Sequence, residues 1–147
     1  MTMAYYTALI NQWNAITTAN PTFTTAQKLA AVNALTVATP QKAILAPSAV
    51  INACVAADLA ALTAGQIALF ALLLAGSSVD ASQGTTIRAG VAAIFAGKTT
   101  TLANLTALVA PFDNATTPWW QMPVAQGGGG LSSSVSASDL LAAGNLT

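Results

Sequence analysis

Residues 59–78 read LAALTAGQIALFALLLAGSS. The fold class turns on whether this stretch crosses a membrane or packs as a helix within a protein. No charged residue lies between Asp58 and Asp80, and about 18 uncharged apolar residues suffice to span a bilayer. Three features argue for a packed helix instead. Thr63 and Gln66 form a T-x-x-Q capping box, which starts a helix inside the stretch. From there to Gly76, a residue type favoured just past a helix end, is about three turns, too short for a ~30 Å hydrocarbon core. The flanking charges are aspartates, with no Lys or Arg to orient an insertion. The stretch therefore predicts a central, buried helix over residues 63–75.

Composition sharpens this reading. The 147-residue chain is 54% hydrophobic and only 5% charged, with four Lys+Arg against four Asp+Glu, where about 25% charged is typical of soluble domains. Much of the apolar content is alanine, which favours close helix packing but adds little to membrane partition. The chain has no His, no Glu and a single cysteine, Cys54. That inventory removes the Ser-His and Cys-His nucleophile pairs, imidazole acid–base chemistry, the common zinc sites and any intrachain disulfide. Zero net charge with dispersed basic residues argues against a nucleic-acid surface. The opening MTMAYYTALINQW has no basic segment and no clear cleavage site, so no signal peptide is expected.

Along the chain, Tyr6, Leu9, Ile10, Trp13 and Ile16 fall at helical spacing, and Asn20-Pro21 ends that segment. Thr24 and Gln27 repeat the capping-box pattern ahead of Leu29, Val32 and Leu35. Pro40 and Pro47 bound a short piece, with Thr39 and Ser48 placed for N-caps. A further helix is expected over 48–57, and a polar connection with turn chemistry over 76–86. Ile87, Val91, Ile94 and Phe95 mark the next helical face; Leu102, Leu105, Leu108 and Val109 mark another before Pro111. No segment alternates with period two. The chain reads as one all-α domain, a compact bundle of six or seven short helices over residues 1–111. Residues 112–135 form an irregular Trp/Pro/Gly-rich segment in which Gly127–Gly130 act as a flexible hinge. Residues 136–147 form a short terminal helix, capped by Ser136 and Asp139 and ended by Gly144. That helix suits docking onto a neighbour and equally suits folding back on its own domain.

Few residues invite a chemical reading. Gly97-Lys98-Thr99 resembles the end of a phosphate loop, but position 92 is Ala where the pattern needs Gly, and the preceding segment is helical. Lys98 is better placed at a helix C-terminus, complementing the dipole. Trp119 and Trp120, beside Pro118, have the flat faces needed to stack on sugars or bases, yet the absence of a nearby polar cluster favours anchoring in a core or a protein interface. The aspartates fall where caps and turns are expected. Arg88, the only arginine, has donors suited to the Asp80 connection or to the helix bearing Asp139. Three Asn-x-Thr triplets, at Asn104, Asn114 and Asn145, are expected products of an Asn- and Thr-rich chain. The candidate protein-interface residues are thus Pro118, Trp119, Trp120, Leu140, Leu141 and Arg88. No catalytic, metal or cofactor residue is assigned.

Six segments carry a resemblance: AQKLAAVNALTV (26–37), LAALTAGQIALFALLL (59–74), VDASQGTTIRAGVAAIF (79–95), TTTLANLTALV (99–109), TPWWQ (117–121) and SASDLLAAGNL (136–146). In this order the chain resembles a family of small, mostly unannotated proteins encoded among virion structural genes of tailed bacteriophages and prophages. The resemblance covers most of the chain and implies a virion-associated protein, assembled in the bacterial host cytoplasm. The expected role is a non-enzymatic structural adaptor in the head–tail neck or tail, contacting other virion proteins and copies of itself. Neither nucleic acid, membrane, cofactor nor small-molecule substrate is expected. The competing readings are a capsid decoration protein, a small lysis-type membrane protein resting on residues 59–78, and a carbohydrate-binding module using Trp119 and Trp120.

Overall fold

The computed structural model describes residues 3–144; the triplet at Asn145-Leu146-Thr147 lies outside them. The described chain is mostly helical, with two small sheets, and forms two compact units. Among the described residues, unit 1 joins 3–38 to 116–144, and unit 2 is the intervening stretch 39–115.

Unit 1 is built on α1 (Met3–Ala19) and α2 (Thr25–Ala34). The Thr24–Gln27 capping box forms as the sequence indicates: the Gln27 amide donates to Thr24 Oγ1 at 3.2 Å, and the Thr24 amide donates to Gln27 Oε1 at 2.8 Å. β1 (Thr36–Ala38) pairs antiparallel with β4 (Thr116–Pro118), Val37 opposite Thr117. This pairing returns the C-terminal segment to the first two helices. Its core gathers Tyr5, Leu9, Trp13 and Ile16 from α1, Val32 from α2, and Trp119, Val135 and Leu140 from the returning segment. Tyr5 takes the fully buried place, while Tyr6 lies at its edge.

Burial pushes the Tyr5 phenol up to about 12, with the charge of Asp139 and neighbouring Tyr6 adding to the rise. The folded state thus favours the neutral phenol. Its contribution to stability is complete below the ordinary value of 10.0 and is lost as pH climbs from there toward 12. The melting temperature of unit 1 should fall through that alkaline window, and Tyr5→Phe should flatten the fall. Melts followed by tryptophan emission report on this unit, because Trp13, Trp119 and Trp120 all lie in it.

Unit 2 contains β2 (Ile44–Leu45), α3 (Pro47–Ala53), α4 (Ala56–Ala60), α5 (Ala64–Leu73), β3 (Val79–Asp80), α6 (Thr86–Ile94) and α7 (Thr99–Asp113). The expected helix over 48–57 is two helices, broken at Cys54 and Val55, both extended. Pro47 opens α3 from its first turn, and no side chain caps it, so Ser48 is not the N-cap. The polar connection over 76–86 holds β3, which pairs with β2 (Ile44 opposite Asp80). Two- and three-residue strands carry no usable alternation, which is why the all-α reading missed them. α7 runs through Pro111 to Asp113 rather than stopping before the proline. There the ring removes one hydrogen bond close to the helix end, a milder penalty than in a helix interior.

Phe70 and Phe95 meet edge-on, ring centroids 5.3 Å apart, at the centre of the unit 2 core. α6 closes on α5 at Gly90, where an added Cβ would lie 2.7 Å from Leu73 Cδ1. Among the described residues no helix is long and apolar enough to cross a membrane.

Candidate functional site

The T-x-x-Q box starts α5 as the sequence indicates. The Gln66 amide donates to Thr63 Oγ1 at 3.2 Å, the Thr63 amide donates to Gln66 Oε1 at 2.9 Å, and Gln66 Nε2 reaches the Ile94 carbonyl at 3.3 Å. The helix is not the wrapped core element expected of it. Phe70 is its one buried residue, with Leu74 buried just beyond its end, while Ala64, Gly65, Ile67, Ala68, Leu69, Ala71 and Leu72 are exposed. Leu72 is 71% exposed, Ile67 52% and Leu69 44%. Because α5 is apolar on every side, its sequence has no periodic contrast to separate an inner from an outer face. Covering these three side chains alone would contribute about 2–5 kcal/mol per copy.

Most of the charged residues, by contrast, are engaged within their own units. Arg88 grips Asp113 with both guanidinium arms, Nη1 to Oδ1 at 2.8 Å and Nη2 to Oδ2. The partner is neither Asp80 nor Asp139, the two carboxylates the sequence had singled out. Asp80 instead closes an Asx turn, accepting from the Ser82 amide at 3.1 Å, and those Ser82 hydrogen bonds, with the nearby Lys42, hold its carboxyl below the usual range. Lys98 is not at a helix C-terminus. It occupies the N-cap of α7 and pairs with Asp58 at 3.8 Å. In unit 1, Lys28 lies 5.8 Å from the Trp13 ring centroid, and Asp139 caps α8 (Ala137–Ala142) by accepting from the Ser136 amide at 2.8 Å.

Asp58 and Thr101 form a polar lock that sequence reasoning missed, since 43 residues separate them. Thr101, completely buried, donates to Asp58 Oδ2 at 2.6 Å and accepts from the Val55 amide at 3.0 Å. The Asp58 carboxylate of α4 is thereby held against Thr101 in the first turn of α7, where the dipole favours it. Thr101→Val should cost about 1–3 kcal/mol, because it strands the half-buried Val55 amide and a carboxylate oxygen together. A denaturant titration followed by far-UV circular dichroism measures this.

The Arg88 hydrogen bonds hold the Asp113 carboxyl below its ordinary range. A depressed carboxylate stabilises the fold above its unfolded value of 3.8 and loses that contribution as pH falls through the folded value. Arg88→Met should therefore lower the melting temperature at neutral pH and leave it nearly unchanged in strong acid, below the folded value.

The predicted interface residues divide sharply. Trp119 is 3% exposed, its Nε1 donating to the Gly127 carbonyl at 2.8 Å, and Leu140 is wholly inaccessible. Both are core residues of unit 1. Pro118 ends β4, opposite Thr36, and Trp120 packs at the core margin. Leu141 alone among the apolar candidates points outward, 63% exposed. Arg88 is committed to Asp113. Among the described residues, three of the exposed large apolar side chains, Ile67, Leu69 and Leu72, belong to α5, the helix expected to be core.

Unit 2 also holds a cavity of about 100 Å³ lined chiefly by apolar side chains, including Leu45, Val79, Val91 and Leu105. That is smaller than the ~300 Å³ of ordinary ligand pockets. Its one charged lining residue, Arg88, is already bonded to Asp113. Among the described residues, no group of three or more His, Cys, Asp or Glu is placed to hold a metal ion. No protein-family model, curated protein or solved structure matches the chain.

Proposed function

We propose that this chain is a non-enzymatic structural protein of a tailed bacteriophage particle, a small helical adaptor of the head–tail neck or tail that acts through protein–protein contacts. The observation that carries the reading is the contrast in unit 2. Most of its charged side chains are engaged internally, Arg88 with Asp113, Lys98 with Asp58 and Asp80 with Ser82, while α5 turns an uncharged apolar face outward. Interface cores are depleted in charge in this way, and an exposed apolar face of this kind marks an interaction surface. The sequence resemblance supplies the setting. With no His or Glu in the chain, the residue inventory is poor in acid–base groups, which fits a role carried by surface burial.

Docking is therefore assigned to α5, and the Trp119 and Leu140 segment is assigned to the fold of unit 1. Mass spectrometry of purified phage particles from the producing host tests the reading. The protein should be present at a low copy number matching a closed, symmetric set of subunits. Hundreds of copies would instead make it a decoration protein, and absence from particles would remove the virion role.

A further inference from the structure

We infer that the outward face of α5 pairs with the same face of a second copy of this chain, antiparallel about a two-fold axis between Ala68 and Leu69. This rests on the reading of that face as a docking surface and names its partner. On a helix of 3.6 residues per turn, Gly65, Ala68, Leu69 and Leu72 share one stripe, and all four are exposed. Small residues stand toward its N-terminal end and large ones toward its C-terminal end.

A two-fold axis between positions 68 and 69 sets Gly65 opposite Leu72 and Ala68 opposite Leu69, in both directions at once. Each large side chain then meets a small one. Gly65 leaves open space there: a Cβ built on it meets no atom within 4 Å. An isologous contact needs this self-complementarity, in which each patch is its own partner.

Charge points the same way. The face lies in the uncharged stretch between Asp58 and Asp80, so a charged partner would lose hydration against it with nothing in return. A second copy presents a face equally free of charge, and antiparallel helices place opposite dipole ends together. The stripe covers on the order of 400 Å² per copy, about half a standard partner face. The pair should accordingly be weak in isolation, with a dissociation constant on the order of micromolar or higher.

Sedimentation equilibrium of the full-length protein, up to about 1 mM, tests this. A reversible dimer is expected. Leu72→Ala leaves a gap and Gly65→Leu sets two leucines against each other, so each should weaken the dimer by about tenfold or more. The double variant Gly65→Leu/Leu72→Ala exchanges large and small within each pair and should recover most of the lost affinity. Both positions are exposed, so circular dichroism should stay unchanged throughout. A protein that is monomeric at every concentration overturns the inference, as does a double variant no better than the single ones. A monomeric protein whose position 72 cross-links to a different virion protein in particles removes the self-pairing and keeps the docking role.

Discussion

Gly129→Ala should destabilise unit 1 by about 3 kcal/mol or more, the scale of an overpacked core. The tetraglycine stretch reads as a hinge by composition, but Gly128 and Gly129 are buried. A Cβ on Gly129 would lie 2.8 Å from both the Cα and the carbonyl oxygen of Trp120. One on Gly128 would collide with Met122. These obstacles include backbone, so relief requires moving the chain. The segment is also laced to its neighbours: the Gly129 amide donates to Trp119 O at 3.0 Å, Gly130 to Met122 O at 2.7 Å and Leu131 to Trp120 O at 2.7 Å. Displacing the chain sacrifices several of these bonds and the Trp119–Gly127 contact together. Gly127→Ala, strained only by its positive φ of 82°, should cost about 1 kcal/mol. Gly65→Ala, on an exposed helix surface, should be neutral or stabilise by up to about 1 kcal/mol. Denaturant titrations followed by tryptophan emission give the ranking; a Gly129→Ala protein within about 0.5 kcal/mol of the parent would show that the glycines are not locked.

Leu140→Ala should cost unit 1 about 3 kcal/mol, and deletion of residues 132–147 should unfold that unit altogether. Leu140 is wholly inaccessible and Val135 nearly so. Asn33 ties this segment to α2 through two bonds, accepting from the Val135 amide at 2.8 Å and donating to the Val135 carbonyl at 3.0 Å. The deletion removes two core side chains and strands both ends of a half-buried amide. Its signature should be a red shift of tryptophan emission with part of the helical circular dichroism retained, since all three tryptophans lie in unit 1 and five of the eight described α-helices lie in unit 2. A truncated protein with native tryptophan emission would restore the picture of a detachable docking helix.

Local signals in this chain were legible and global ones were not. The capping boxes at Thr24, Thr63 and Ser136 all form, because each rests on two residues three positions apart. The Ile87, Val91, Ile94 face also packs as its spacing indicates. What escaped was pairing across distance. β1 finds β4 about eighty residues away, Arg88 finds Asp113, and Asp58 finds Thr101. None of these leaves a periodic trace. The tetraglycine was misread because composition reports the freedom of an isolated chain, whereas here the missing side chains admit neighbouring backbone. The exposed face of α5 was misread for a related reason. Burial is inferred from contrast between polar and apolar positions, and a uniformly apolar helix offers none. Two of the residues expected to dock, Trp119 and Leu140, are core, and the helix expected to be core carries the candidate docking surface.

Photo-cross-linking from position 72 in assembled particles tests the central claim most directly. A photoreactive residue at Leu72, 71% exposed in the single chain, should give a discrete cross-linked product in purified virions, either to a second copy or to another virion protein. Particles that contain the protein but give no product from position 72, while an equivalent probe at Leu141 does cross-link, would contradict α5 as the docking surface.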